Sequence, residues 1–190
     1  MYKRQITNST SGTAYSDPST GPYSYTPNAT SSILATDIQN SLNNGTNVKI
    51  STGLSGSLGG NAGNITVAAN IAKTSGTAAS LTLEANNAII FNSGVAVTGS
   101  STAGNLDVNL TANGAASSGS SVVFNSLSKI DTNGKITINA TSKITGSVGS
   151  PAAVYVYAGN LTNSNTGGSR TLIRGSSLEI KTYNSGAITM

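Results

Sequence analysis

GTNVKISTGLSGSLGGNAGNITVAANIAKTSGTAASLTLEANNAIIFNSGVAVTGSSTAGNLDVNLTA, residues 45–112, decides the fold of this chain. Short alternating runs (NVKIS, NITVA, SLTLEA, NLDVNLTA) are separated by small polar turns. In each run the large aliphatics take every second place: Val48 and Ile50, Ile65 and Val67, Leu81 and Leu83, then Leu106, Val108 and Leu110. A period of two puts one apolar face and one polar face on each segment, which is the pattern of a half-buried strand. The runs restart 17, 16 and 25 residues apart. That is too far for tight hairpins and too short for a strand plus a crossover helix. Near-equal spacing without helices predicts a solenoid, each coil of the chain stacking on the last.

Composition supports a thin stacked core. Of 190 residues only 8% are charged and 5% aromatic, with no Trp. An ordinary globular domain carries roughly 25% charged residues. Disorder is the competing reading for so polar a chain, but it brings high net charge and few β-branched residues. Here Val, Ile and Leu recur in register. The formal charge of +4 comes from Lys and Arg scattered singly, with no basic cluster and interleaved aromatics to follow a phosphate backbone, so no nucleic-acid partner is expected. Cysteine is absent, which excludes a disulfide framework and thiolate metal sites and suits an exported protein. No apolar run approaches the ~18 residues of a membrane helix, so no membrane insertion is expected.

The chain divides into three parts. Residues 1–5, MYKRQ, resemble a translated transposon-derived sequencing adapter, an artefact whose removal would take Lys3 and Arg4 from the charge and leave +2. On that reading the chain is a piece of a longer protein. Residues 6–30 hold Pro18, Pro22 and Pro27 among Tyr15, Tyr23 and Tyr25, which reads as an irregular loop or edge. Those tyrosines could stack on sugars or cover an open end of the core. Residues 31–190 form the expected β-solenoid. Near its start Ile38 and Leu42 give one apolar face to a short helix at about residues 36–43, with Thr36 and Gln39 spaced as a capping box and Asn44-Gly45 as a left-handed stop.

Beyond residue 112 the linker ANGAASSGSS widens one turn, and alternation resumes at SVVFNS, KITINATSKI, AVYVYAG and SLEIKTY. Inward candidates there are Val122, Ile136, Ile138, Val154, Val156, Leu178 and Ile180. Asn44-Gly45, Gly59-Gly60, Asn113-Gly114 and Asn133-Gly134 mark sharp bends that tolerate positive φ. The final SGAITM stops partway through another run, which predicts an uncapped coil there.

DIQNSLNNGTNVKISTG, then AGNITVAANIAKTSGTAASLTLEANNAIIFNSGVAV, then GNLDVNLTA resembles the repeat region of filamentous-haemagglutinin-type exoproteins over roughly residues 31–140. The resemblance implies a right-handed parallel β-helix, export through a dedicated outer-membrane secretion partner, and adhesion at the bacterial surface. It implies host or bacterial surface glycans or proteins as binding partners, and it brings no catalytic motif. The family's N-terminal secretion signature is not found in the chain.

Catalytic chemistry has few starting points. There is no His or Cys, and Ser without a base is ordinary polar surface. Glu84 and Asp107 fall on neighbouring runs and could pair as in a glycosidase. Aligning Leu81 with Leu106 places Asp107 beside Thr82 and Glu84 diagonal to it. GGNAGNITV resembles a calcium-binding nonapeptide but has Ala62 and Asn64 where glycine and the ligating Asp belong, and it occurs once. Thr66, Thr82 and Thr137 face outward, yet Lys49, Asp107, Tyr155 and Glu179 interrupt any flat threonine array. Asn8, Asn64, Asn109 and Asn160 head glycosylation sequons that an Asn- and Thr-rich chain also produces by chance. No catalytic, cofactor-binding or metal-ligating residue is assigned, and no cofactor is expected. The expectation is a non-enzymatic structural or binding segment of a secreted adhesin. The alternatives are a receptor-less spacer of a biofilm matrix or surface layer, and a carbohydrate-active enzyme on the same scaffold.

Overall fold

The computed structural model describes residues 3–7, 23–25, 31–52, 63–112, 121–141, 143–146, 154–158, 171–182 and 187–189. In chain order the first elements are β1 Lys3–Thr7, β2 Tyr23–Tyr25, β3 Ser31–Leu34, helix α1 Ala35–Asn43 and β4 Val48–Ser51. The middle of the chain supplies β5 Asn64–Val67, β6 Ile71–Lys73, β7 Ala79–Ala85, β8 Ala88–Phe91, β9 Ala96–Gly99 and β10 Leu106–Ala112. Then come β11 Ser121–Phe124, β12 Lys129–Asp131, β13 Lys135–Ala140 and β14 Lys143–Gly146. The last are β15 Val154–Ala158, β16 Thr171–Gly175, β17 Ser177–Thr182 and β18 Ala187–Thr189.

These strands make three sheets with parallel pairings throughout. Sheet A runs β3-β1-β5-β8-β11-β14-β18, sheet B runs β2-β4-β7-β10-β13-β17, and sheet C runs β6-β9-β12-β16-β15. From β4 onward the chain visits sheets B, A and C in strict rotation until β15 and β16, both of which lie in sheet C. The described residues are thus β-rich, with parallel sheets and one helix. Each strand in the rotation pairs with strands one circuit away, so its neighbours are remote in sequence.

The expected alternation is present. β7 and β10 are buried at every second residue along their whole length. Val67, Leu83, Val108 and Ile138 are all fully buried in one core cluster. They do not form a single ladder, however. Val67 lies in sheet A, while Leu83 and Ile138 share a column of sheet B with Ile50 and Leu110, and Val108 belongs to the adjacent column. Val122 and Ile136 are buried, Leu178 and Ile180 pack partly buried against the cluster, and the side chains of Val154 and Val156 lie outside the described residues. Phe91 and Phe124 stack with ring centroids 4.8 Å apart between β8 and β11. Each such burial contributes about 1.5–3 kcal/mol of transfer free energy.

The spacing expectation needs correction. One circuit uses three strands, not one: Val48 pairs with Leu81, whereas Ile65 pairs with Ile89 in another sheet. Short strands such as β6 and β12, three residues each, carry too few positions to show a period. At ~4.8 Å per strand the six strands of sheet B stack over ~24 Å. The register also moves by two residues, since Leu106 pairs with Ala79 and Leu81 with Val108. Ala79 is a small inward residue, so a search for large aliphatics starts the strand too late.

β1, which contains residues expected to be foreign, lies between β3 and β5, with Ile6 fully buried beside Ile33 and Val67. β2 pairs with β4, so part of the 6–30 segment joins sheet B. The rest of that segment, including Tyr15 and the three prolines, lies outside the described residues, as do Gly59-Gly60, Asn113-Gly114, the centre of the linker and Met190.

Helix α1 buries Ile38 and Leu42 as expected and stops where Asn44 gives way to Gly45 at φ 75°. Its expected capping box is absent. Leu34 leads straight from β3 as the N-cap, with no side-chain cap hydrogen bond, and Thr36 is already inside the first turn. Gln39 has a different task. Its Oε1 accepts the Ala72 N–H at 3.0 Å, and Asn43 Oδ1 accepts the Thr74 and Ser75 N–H groups at 2.8 and 3.1 Å. The helix therefore lies along β6, an end strand of sheet C, and takes the Ala72 N–H that another strand would bond, with two more N–H groups just past the strand.

Candidate binding groove beside sheet C

Sheet B carries most of the residues that sequence reading nominated, while Asn64 and Thr66 lie on β5 of sheet A and Tyr155 on β15 of sheet C. The outer face of sheet B holds the row Lys49, Thr82, Asn109, Thr137 and Glu179. Thr82 and Thr137 belong to that row but Thr66 lies on sheet A beside Ile90, and Asp107 is one row away, so the threonines are not brought together. Glu84 pairs in register with Ser51 and Thr111, and Asp107 with Ser80. The two carboxylates stand four positions apart along adjacent strands, ~13 Å at ~3.3 Å per residue. Glycosidase pairs need ~5–5.5 or ~6.5–9.5 Å. Each has its own partner: Glu84 meets Lys49 at 2.8 Å, and Asp107 Oδ1 accepts the Lys135 N–H at 2.7 Å. Asn64 of the glycine-rich nonapeptide accepts hydrogen bonds from Asn87 Nδ2 at 2.7 Å and the Ala88 N–H at 3.1 Å, as a turn-closing side chain does. Among the described residues no three His, Cys, Asp or Glu side chains come together to hold a metal. Asn109 Nδ2 approaches Thr82 Oγ1 at 3.4 Å on the outer face of sheet B, while Asn8 and Asn160 lie outside the described residues.

Among the described residues a concave surface lies elsewhere, at the corner where sheet C hands the chain to sheet B. A groove of about 590 Å³ is lined by Thr98, Asp131 and Arg174 from the outer face of sheet C and by Asn105, Asn133 and Ser176 from the connections to sheet B. The register creates the first set. Thr98 pairs with Asp131, and Asp131 with Arg174, so three successive strands deliver polar side chains to one row.

Arg174 grips Asp131 with two donors, Nε to Oδ1 at 2.5 Å and Nη2 to Oδ2 at 2.7 Å. This is the paired geometry that favours guanidinium over ammonium. Lys129, two residues before Asp131 on the same strand face, adds a contact at 2.7 Å. Burial by itself would push the Asp131 carboxyl up. The hydrogen bonds and charges of Arg174 and Lys129 outweigh it and hold the group below its usual value. Two cations against one carboxylate leave the cluster with net charge +1.

The groove wall is fixed by side chains that bond to backbone. Asn133 Nδ2 donates to the carbonyls of Ser100 and Ala103 at 3.0 and 3.2 Å, while its Oδ1 accepts the Leu106 N–H at 3.2 Å. Thr132, buried, donates to the Leu106 carbonyl at 2.5 Å. Gly134 follows, and here the expected reason for glycine changes. Its φ is not positive; instead a Cβ would sit 2.2 Å from the Leu106 carbonyl oxygen, so close backbone approach requires the glycine.

Sequence reasoning missed this groove. Asp131 and Arg174 are 43 residues apart and each stands as a lone charge. Only the three-strand circuit reveals them as neighbours. No family model matches the chain, and no curated protein or solved structure matches it either.

Proposed function

We propose that residues 31–190 wind as a right-handed parallel β-helix and serve as a structural and binding segment of a secreted bacterial surface adhesin. The rotation of strands through sheets B, A and C around one apolar cluster supports the helical winding. Handedness follows from the general preference of parallel crossovers. The adhesin reading rests on the resemblance of residues 31–140 to filamentous-haemagglutinin-type repeats. The observation that favours binding over mere spacing is the polar groove beside sheet C, whose wall is held by Asn133 and Thr132. Surface glycans or proteins are the partners this reading calls for, with an outer-membrane transporter as the secretion partner.

The test is a glycan and protein array probed with the purified chain, run beside a polysaccharide-degradation assay. Specific binding without turnover is the expected result. Silence in both would favour a receptor-less spacer, and turnover would replace the reading with a carbohydrate-active enzyme.

A further inference from the structure

We infer that Asn44-Gly45, at the end of α1, is a site of spontaneous covalent modification that loses ammonia and loosens the grip of the helix on the turn after β6. The reaction needs only water. The Gly45 nitrogen attacks Cγ of Asn44 and gives its proton to solvent. The new N–C bond closes a five-membered succinimide, and the Cγ–Nδ2 bond breaks with ammonia as the leaving group. Water then opens the ring at either carbonyl. One opening leaves aspartate, the other isoaspartate, with a side-chain carbon moved into the main chain. Glycine favours the attack because no Cβ shields its nitrogen.

The described residues hold this pair twice, at Asn44-Gly45 and at Asn133-Gly134, and the fold treats the two differently. The Asn133 amide is held at both its atoms, by the Ser100 and Ala103 carbonyls and the Leu106 N–H, and the Gly134 N–H donates to Thr132 Oγ1 at 3.2 Å. Its Cγ cannot turn toward the Gly134 nitrogen without breaking those bonds. Asn44 is exposed, and its side chain has no partner among the described residues. The Gly45 N–H donates to the Leu42 carbonyl at 3.0 Å, a bond in the last turn of a helix, where fraying opens it. The products fit the corner badly. A carboxylate at Asn44 stands at the negative end of the helix dipole. A Cβ on Gly45 would lie 2.0 Å from Thr77 Oγ1, and one on Gly76 1.8 Å from the Asn43 carbonyl oxygen, so an added main-chain carbon has no room. The isoaspartate product therefore shifts the helix end, and with it Asn43, whose Oδ1 holds the Thr74 and Ser75 N–H groups.

The test ages the whole 190-residue chain in mildly alkaline buffer made with heavy-oxygen water, then maps its peptides by mass spectrometry. Asn113-Gly114, outside the described residues, is followed as a separate peptide. Label should enter at Asn44 at least tenfold faster than at Asn133, and the gap should close in denaturant. Hydrogen exchange at the Thr74 and Ser75 amides should quicken in the aged chain, while exchange along β10 stays as it was. Asn44→Gln, which would have to close a less favoured six-membered ring, should stop both changes and keep the melting curve of the fresh chain. An Asn44 that stays intact, equal rates at the two pairs in the folded chain, or a gap of the same size in denaturant would overturn the inference. Conversion at Asn44 that leaves Thr74 and Ser75 exchange unchanged would overturn the loosening of the helix.

Discussion

Sheets B and C are built from the same chain with the same parallel pairing, yet their inner faces differ. In sheet B two aliphatic columns run side by side, Val48-Leu81-Val108-Ile136 and Ile50-Leu83-Leu110-Ile138, all buried. In sheet C only one column is aliphatic, Ile71-Val97-Ile130-Ile173. Beside it stands Lys73, fully buried opposite Gly99. Lys73 Nζ donates to the carbonyls of Ser75 at 2.5 Å and Gly76 at 3.4 Å, and burial lowers its pKa. Next along, a Cβ on Gly99 would lie 2.8 Å from Thr132 Oγ1. Sheet B draws its stability from interchangeable aliphatic surface, whereas sheet C gives up side-chain volume for polar atoms that hold turns. The groove lies beside the second kind of wall.

The largest test of that contrast is Leu83→Asp. It places a carboxylate between Ile50 and Leu110 with no partner, and should cost at least ~3 kcal/mol. Thr82→Asp, one residue away on the outer face beside Lys49, should cost less than ~1 kcal/mol. Chemical denaturation measures both, and equal midpoints would break the register assigned to sheet B.

Next in size is Gly134→Ala at the corner leading out of sheet C. The added carbon meets the Leu106 carbonyl oxygen at 2.2 Å, backbone that has little room to yield. A loss of about 1–3 kcal/mol is expected, against about 0.5 kcal/mol or less for Thr137→Ala on the outer face of β13. A Gly134→Ala midpoint matching that of Thr137→Ala would show the corner to be looser than sheet B.

Acid should act on sheet C before it acts on the apolar columns of sheet B. The folded pKa of Asp131 lies below its unfolded value of ~3.9. Its contribution is therefore fully present above that value and is lost as pH falls through the lower folded one. Asp131→Asn should flatten the dependence of stability on pH in that window. An unchanged slope would mean that the Arg174 pair adds nothing.

The smallest effect should carry the opposite sign. Leu127 has φ 66° and is 46% exposed in a turn equivalent to the one where Gly94 has φ 74°. The two turns stack, with the Gly94 N–H donating to the Ser126 carbonyl at 3.0 Å. Leu127→Gly should stabilise by about 0.5–1 kcal/mol, because a bulky side chain no longer sits in the left-handed region. A lower melting temperature would show that Leu127 makes contacts that offset its strain.

What the sequence made legible follows from length. β7 and β10 have seven residues each, enough for period two to name every inward side chain. β8, AIIF, is buried at its first two positions and again at its fourth, so its pattern points nowhere. β6 and β12 are shorter still. Without these strands the circuit of three walls does not show in the sequence, and neither do the neighbours of Asp131. Gln39 departs from its expected role for a related reason. Its capping-box spacing with Thr36 is local, but the partner it finds, the Ala72 N–H, is 33 residues away.

That last contact has a wider consequence. An exposed parallel edge presents a row of free N–H and C=O groups and is a template for joining another chain. At β6 the Ala72 N–H is taken by Gln39 of α1, and the Thr74 and Ser75 N–H groups just past the strand by Asn43, side chains that satisfy single donors but cannot pass the pairing on. The helix thus works as an end-stop. A second chain meeting the β6 side at Ala72 would find a side chain where it needs backbone.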